Sequence, residues 1–151
     1  MRRELHEYTG VDKPPVAVWA RVTNAARLGE WHPAITASDG EWRSGGVLAL
    51  TVRFGSVERT RRLSVVVLRF VPRRELSCVV RTGVAGILDF HYALRLEPDA
   101  AGGTEVSQAL TTSGVLALPL WRRLRGPLAE FLRQGAAGLG GGGESADAVT
   151  E

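Results

Sequence analysis

The sequence predicts an α+β domain: one curved antiparallel sheet of seven strands, two short helices after the first strand, and a long C-terminal helix. Three observations carry this. Between residues 35 and 113, six apolar segments follow one another, separated by turn residues and with no helical stretch between them; such a series folds as antiparallel neighbours. A proline-led segment with helical spacing interrupts the strands only once, after residue 13. Beyond Gly114 the apolar period lengthens from two residues to three or four, the change that marks a helix stripe.

The elements follow in order. Leu5, Glu7, Thr9 and Val11 alternate weakly and give a first strand over residues 2–11, at a sheet edge. Pro14-Pro15 ends it and suits the first turn of a helix, where a missing N–H costs nothing. Val16, Trp19, Ala20 and Val22 then recur at helical spacing, with Trp19 on the core side. Asn24 is placed to cap a second short helix reaching Glu30, and Trp31-His32-Pro33 stops it because the residue before proline is pushed out of the α region. Turn residues at 38–40, 44–46, 55–56, 72–74, 83–86 and 98–103 mark the strand ends. Alternation puts Leu88, Phe90, Tyr92, Leu94 and Leu96 on one face, with Asp89, His91, Arg95 and Glu97 on the other. Val106, Gln108, Leu110 and Thr112 share a face of the last strand. A slip of one residue inverts these faces. Leu116, Leu120, Leu124, Leu128, Phe131 and Leu132 form the helix stripe, and Gly126-Pro127 within it predicts a kink or a split. The domain spans residues 1–138; the Gly-rich stretch 139–151 has no periodicity and reads as a disordered tail.

Bulk properties narrow the function. The 151 residues suit one domain, and 44% hydrophobic against 23% charged residues is an ordinary globular mix. No apolar run approaches the roughly 20 residues needed to span a bilayer, so no membrane insertion is expected. No apolar leader follows Met1, and a cytoplasmic location is expected. A single cysteine, Cys78, excludes a disulfide framework. Three scattered histidines offer no metal-ligand spacing, so neither metal nor cofactor is expected. The cations are eighteen arginines and Lys13, and the richness in Arg, Ala and Gly matches a high-GC bacterial genome. The densest group, Arg59, Arg61 and Arg62, is split across the two faces of a strand, and the net charge is only +3. Nucleic acid is therefore not an expected partner.

Several local motifs fall in a telling order. Pro14-Pro15-Val16-Ala17-Val18-Trp19 resembles a proline-led first helix carrying a tryptophan. Glu30-Trp31-His32-Pro33 is similar to a Trp-Asn-Pro turn, with His32 replacing asparagine. Pro72-Arg73-Arg74-Glu75-Leu76 resembles a turn between middle strands, and Gly103-Thr104-Glu105-Val106 and Ser113-Gly114 match the ends of a last strand. Together, up to about residue 138, they resemble the helix-grip (SRPBCC, START-like) superfamily, which includes START domains, the birch-pollen allergen and bacterial polyketide cyclases. The resemblance implies a cavity between the concave sheet face and the last helix, suited to sterols, polyketides, lipids or aromatic compounds. It does not choose among carriers, receptors and cyclases.

Candidate site residues come from polar groups on apolar faces and from aromatic residues near the expected cavity. Tyr92, Gln108 and Thr112 meet the first test, and Cys78 shares a face with Leu76 and Val80. A buried polar group must find a partner, in the core or on a ligand. Trp31, Trp42 and Trp121 lie in segments bordering the cavity, as aromatic walls do in small-molecule sites. His32 either fixes its turn or donates a proton at the pocket mouth. His91 is an acid–base candidate because histidine is the side chain suited to proton transfer near neutral pH; it faces solvent beside Asp89 and Arg95, or points inward beside Gln108 if the register slips. Arg53 and Arg81 either face water or recognise a carboxylate or enolate. Two functions stay open. One is an enzyme cyclising, dehydrating or isomerising a polyketide-like substrate, with Tyr92, Gln108, His91 and Arg81 as catalytic candidates. The other is a carrier or sensor of a hydrophobic small molecule. A homodimer and an acidic partner such as an acyl carrier protein are further possible associations.

Overall fold

The computed structural model describes residues 2–53, 60–81 and 86–140, apart from the Arg81 side chain. Strand β1 (Arg2–Val11) is followed by helix α1 (Pro15–Val22) and a 3-10 helix (Ala25–Glu30). Six strands come next: β2 (Ile35–Gly40), β3 (Val47–Arg53), β4 (Thr60–Val71), β5 (Glu75–Arg81), β6 (Asp89–Pro98) and β7 (Thr104–Ser113). Helix α2 (Ala117–Leu139) completes the chain of elements. The fold is the expected one: a seven-stranded antiparallel sheet in the order β1-β7-β6-β5-β4-β3-β2, with the long helix against it.

Every strand of the β2–β7 meander pairs with its successor, and β1 returns to the far edge beside β7. Register shifts interrupt the pairing between Ile35 and Ala37 and between Val67 and Arg69. An extra residue on one strand bends it and increases its twist, which helps the sheet curve around the helix. The concave face collects the apolar alternation read from the sequence: Leu76 and Cys78 on β5, Leu94 and Leu96 on β6, Val106 and Leu110 on β7 are all buried. The register of β6 is therefore the one that turns His91 away from the interior.

Three local expectations are refined. Pro15 does open α1, whose Val18, Trp19 and Val22 face the core, and Trp19 packs on Phe70 with ring centroids 5.2 Å apart. The second short helix is a 3-10 helix, and the Asn24 side chain makes no cap hydrogen bond. Gly126-Pro127 does not divide α2, which runs as one helix through Pro127. It also continues through Leu139, a buried core residue, one position into the expected tail; residues 141–151 of that tail lie outside the described residues.

Two glycines let α2 lie close to the rest of the fold. A Cβ on Gly138 would stand 1.6 Å from the Trp31 carbonyl oxygen. One on Gly135 would stand 3.1 Å from Gln108 Oε1 and 3.2 Å from the His32 ring. The turn after the 3-10 helix and the middle of β7 thus meet the same glycine-bearing face of the helix.

Candidate functional site: an apolar cavity beneath the long helix

Between the concave sheet face and α2 lies a cavity of about 580 Å³, within the range of small-molecule sites. Its wall is almost entirely aliphatic and aromatic: Leu63, Val65, Val80, Phe90, Leu110 and Phe131 are representative. Four lining residues carry other chemistry: His32, Arg61, Cys78 and Tyr92. Among the described lining residues there is no carboxylate, and only Arg61 and Pro127 are exposed. Those two mark the mouth, between the start of β4 and the second turn-pair of α2.

The polar groups are held by partners within the protein. The Tyr92 hydroxyl donates to Gln108 Oε1 at 2.7 Å, and Gln108 Nε2 donates to the Leu132 carbonyl at 3.1 Å. At the preceding residue of the helix, His32 Nε2 donates to the Phe131 carbonyl at 3.0 Å, while its Nδ1 accepts from the Ala34 N–H at 3.3 Å. Two consecutive carbonyls in mid-helix therefore each accept a side-chain bond. The carbonyl of Phe131 is accessible because position 135, one turn on, is glycine and has no side chain to cover it. The His32 ring also packs on Phe131, with centroids 4.1 Å apart.

Electrostatics agrees with this geometry. Burial holds the His32 pKa down at about 4, against a smaller upward pull from its bond to Phe131. His32 is thus neutral at pH 7 with both ring nitrogens engaged, and it sits at the inner end of the cavity, 2% exposed. A proton donor at the mouth was one expectation for it; the fixed turn histidine is what the arrangement supports. Burial pushes the Cys78 thiol up to about 12, so it is not a thiolate nucleophile. Burial also raises the Tyr92 phenol well above its usual value, with a smaller contribution from Cys78; it remains a protonated donor.

The structure brings together six of the sequence candidates and leaves others apart. Trp31, His32, Trp42, Cys78 and Tyr92 border the cavity, and Gln108 stands directly behind Tyr92. The Trp31 and Trp42 indole N–H groups are buried with no hydrogen-bond partner among the described residues. Thr112 is fully buried on the inward face of β7 with its hydroxyl unpartnered, but it does not border the cavity. Trp121 packs beside Leu110, Leu128 and Leu132, outside the lining. His91 is paired in register with Val79 and Thr111 on the opposite face of β6 from Tyr92, so it cannot reach the cavity. Arg53 is exposed and outside the lining; the Arg81 side chain lies outside the described residues. Among the described residues, the cation lining the cavity is instead Arg61. Its signal was present in the alternation Arg61, Leu63, Val65, Val67, which places it on the apolar face of β4.

Solved structures share the architecture. A Zhui aromatase/cyclase from Streptomyces sp. R1128 superposes with a TM-score of 0.76 at 14% identity, covering 99% of this chain and 96% of that one. A START superfamily protein from Mycobacterium smegmatis gives 0.70 at 15% identity, covering 89% and 94%. Ara h 8.0201 gives 0.64 at 14% identity, covering 91% and 97%. At these identities the likeness is one of fold. No curated protein matches the chain. The sequence profile described as polyketide cyclase/dehydrase and lipid transport does match, over residues 5–141, and the chain belongs to that family.

Proposed function

We propose that the protein takes up a small hydrophobic molecule, of aromatic or polyketide-like character, and holds it in the cavity beneath α2 without ionising it. One observation carries this reading. The cavity is large and apolar, and its titratable lining groups other than Arg61 are uncharged at neutral pH, with His32 and Tyr92 already bonded within the protein. General acid–base catalysis needs a group whose pKa lies near the working pH, and His32, Cys78 and Tyr92 are all displaced from it. The arrangement suits a carrier or sensor. The Trp31 and Trp42 rings line the cavity while their indole N–H groups are buried away from it, so recognition of a ligand rests on shape and apolar contact.

A second reading, cyclisation, dehydration or isomerisation of a bound polyketide-like chain, is favoured by Arg61. A guanidinium at the mouth of an apolar cavity can hold an enolate or carboxylate, and confinement of a flexible chain lowers the barrier through orientation alone. Tyr92 and Gln108 would then shape the wall beside the reacting chain.

Fluorescence titration with two apolar dyes tests the binding reading: anionic 1-anilinonaphthalene-8-sulfonate and neutral N-phenyl-1-naphthylamine. Both are expected to bind at micromolar concentration. Arg61→Gln should weaken the anionic dye by no more than about fivefold, the limit for an exposed ion pair, and leave the neutral dye unchanged. Failure of both dyes to bind would remove the binding reading.

A further inference from the structure

The antiparallel topology gathers one set of strand ends at the mouth of the cavity: the end of β3 and the start of β4, the residues leading into β6, and the link from β7 to α2. That end carries an apolar tip. Ile87, Val115, Leu116 and Leu118 are 41%, 69%, 40% and 43% exposed. They do not sit on a loose loop. Val115 N–H donates to the Gly86 carbonyl at 3.0 Å and Leu116 N–H to the Ile87 carbonyl at 3.0 Å. Gly114, at φ 108°, lies so close beneath that a Cβ there would stand 2.5 Å from the Ile87 carbonyl oxygen. Two connections are therefore laced into one mount that presents four aliphatic side chains to solvent.

Cations share this end of the fold. Arg61 is exposed at the mouth, Arg53 and Arg62 are exposed on the outer face of the adjoining strand ends, and Arg122, Arg123 and Arg125 are exposed on the first turns of α2. Leu118, Arg122 and Arg125 follow at four and three residues and share one helix face. The described acidic residues at this end are few: Glu4 is paired with Arg2, and Asp89 binds the Gly86 N–H. Aliphatic side chains with exposed arginines at the same end of the fold match the two attractions of an anionic bilayer, apolar burial at the interface and attraction of basic residues to acidic headgroups. A protein partner would be met better by tyrosine or tryptophan, the residues that dominate such contacts, and the tip has neither.

We infer that the mouth end of this protein is a peripheral docking surface for an anionic lipid bilayer, seating the cavity entrance against the membrane. The inference concerns the outer surface and does not depend on what the cavity holds. Co-sedimentation with vesicles tests it, comparing phosphatidylcholine alone with phosphatidylcholine containing 30 mol% phosphatidylglycerol. Binding to the anionic vesicles and release at high salt are expected. Arg122→Gln/Arg125→Gln should lower the affinity about 30-fold, at roughly fivefold per cation. Val115→Glu should abolish binding while leaving the melting temperature and dye binding unchanged, because Val115 lies on the surface. Absence of binding to anionic vesicles at low salt would overturn the inference, as would binding that survives Val115→Glu. So would a lipid-free dimer that Val115→Glu turns into a monomer, since the tip would then belong to a second copy of the chain.

Discussion

Replacing Gly138 by alanine tests how α2 is held. In an ordinary helix interior this change stabilises by about 1 kcal/mol. Here the new Cβ would stand 1.6 Å from the Trp31 carbonyl oxygen, where ordinary van der Waals contact begins at 3.4 Å. Backbone, not a flexible side chain, is in the way, so the helix must lift or the turn must retreat. Either movement strains the bonds from His32 to Phe131 and from Gln108 to Leu132, at 3.0 and 3.1 Å. A buried donor left unpaired costs about 1–3 kcal/mol. With both bonds lost and the helical gain set against them, a net loss of about 1–5 kcal/mol follows, a large part of a typical domain's stability. Urea denaturation followed by circular dichroism measures it directly. Gly10→Ala on β1 is the control, since its Cβ would meet nothing within 4 Å. A Gly138→Ala variant as stable as the parent would refute the close helix–turn contact from which the cavity is built.

Two other perturbations probe the polar pairs. The folded pKa of His32 lies below its unfolded value, so the unfolded chain binds the extra proton and stability falls with acid. Its contribution is complete above pH 6.5 and is lost as the pH drops towards 4. The full loss is on the order of 3 kcal/mol, and the slope between those values should flatten in His32→Gln, measured by denaturation at several pH values. Tyr92→Phe removes the donor to Gln108 Oε1 and should destabilise by about 1–3 kcal/mol, seen as a lower urea midpoint; an unchanged midpoint would show that the pair bears no structural load.

Much of the fold was legible in the sequence because period and punctuation agree. Strand alternation on β6 and β7 names the inward residues correctly, from Leu94 and Leu96 to Gln108 and Leu110, and Pro15 and Gly114 mark helix boundaries for reasons local to the backbone. The site was less legible, since a side chain's partner is set by tertiary contact. Nothing in the spacing of His32 and Phe131, 99 residues apart, says that they bond. Gly135 and Gly138 look like the onset of a glycine-rich tail, although they are what lets the helix approach. Arg61 was read only as part of an arginine cluster, because charge drew more notice than its alternation with Leu63 and Val65. His91 drew notice for its chemistry, and the strand register removes it.

The central claim is that the space beneath α2 receives a ligand, and filling that space tests it most directly. Leu63→Trp with Val80→Phe adds bulk to two half-buried wall positions, and the affinity for neutral N-phenyl-1-naphthylamine should be compared with that of the parent. The account predicts at least tenfold weaker binding with a melting temperature close to the parent's, because the added atoms enter empty volume. Equal binding by the two proteins would place the dye elsewhere and contradict the account.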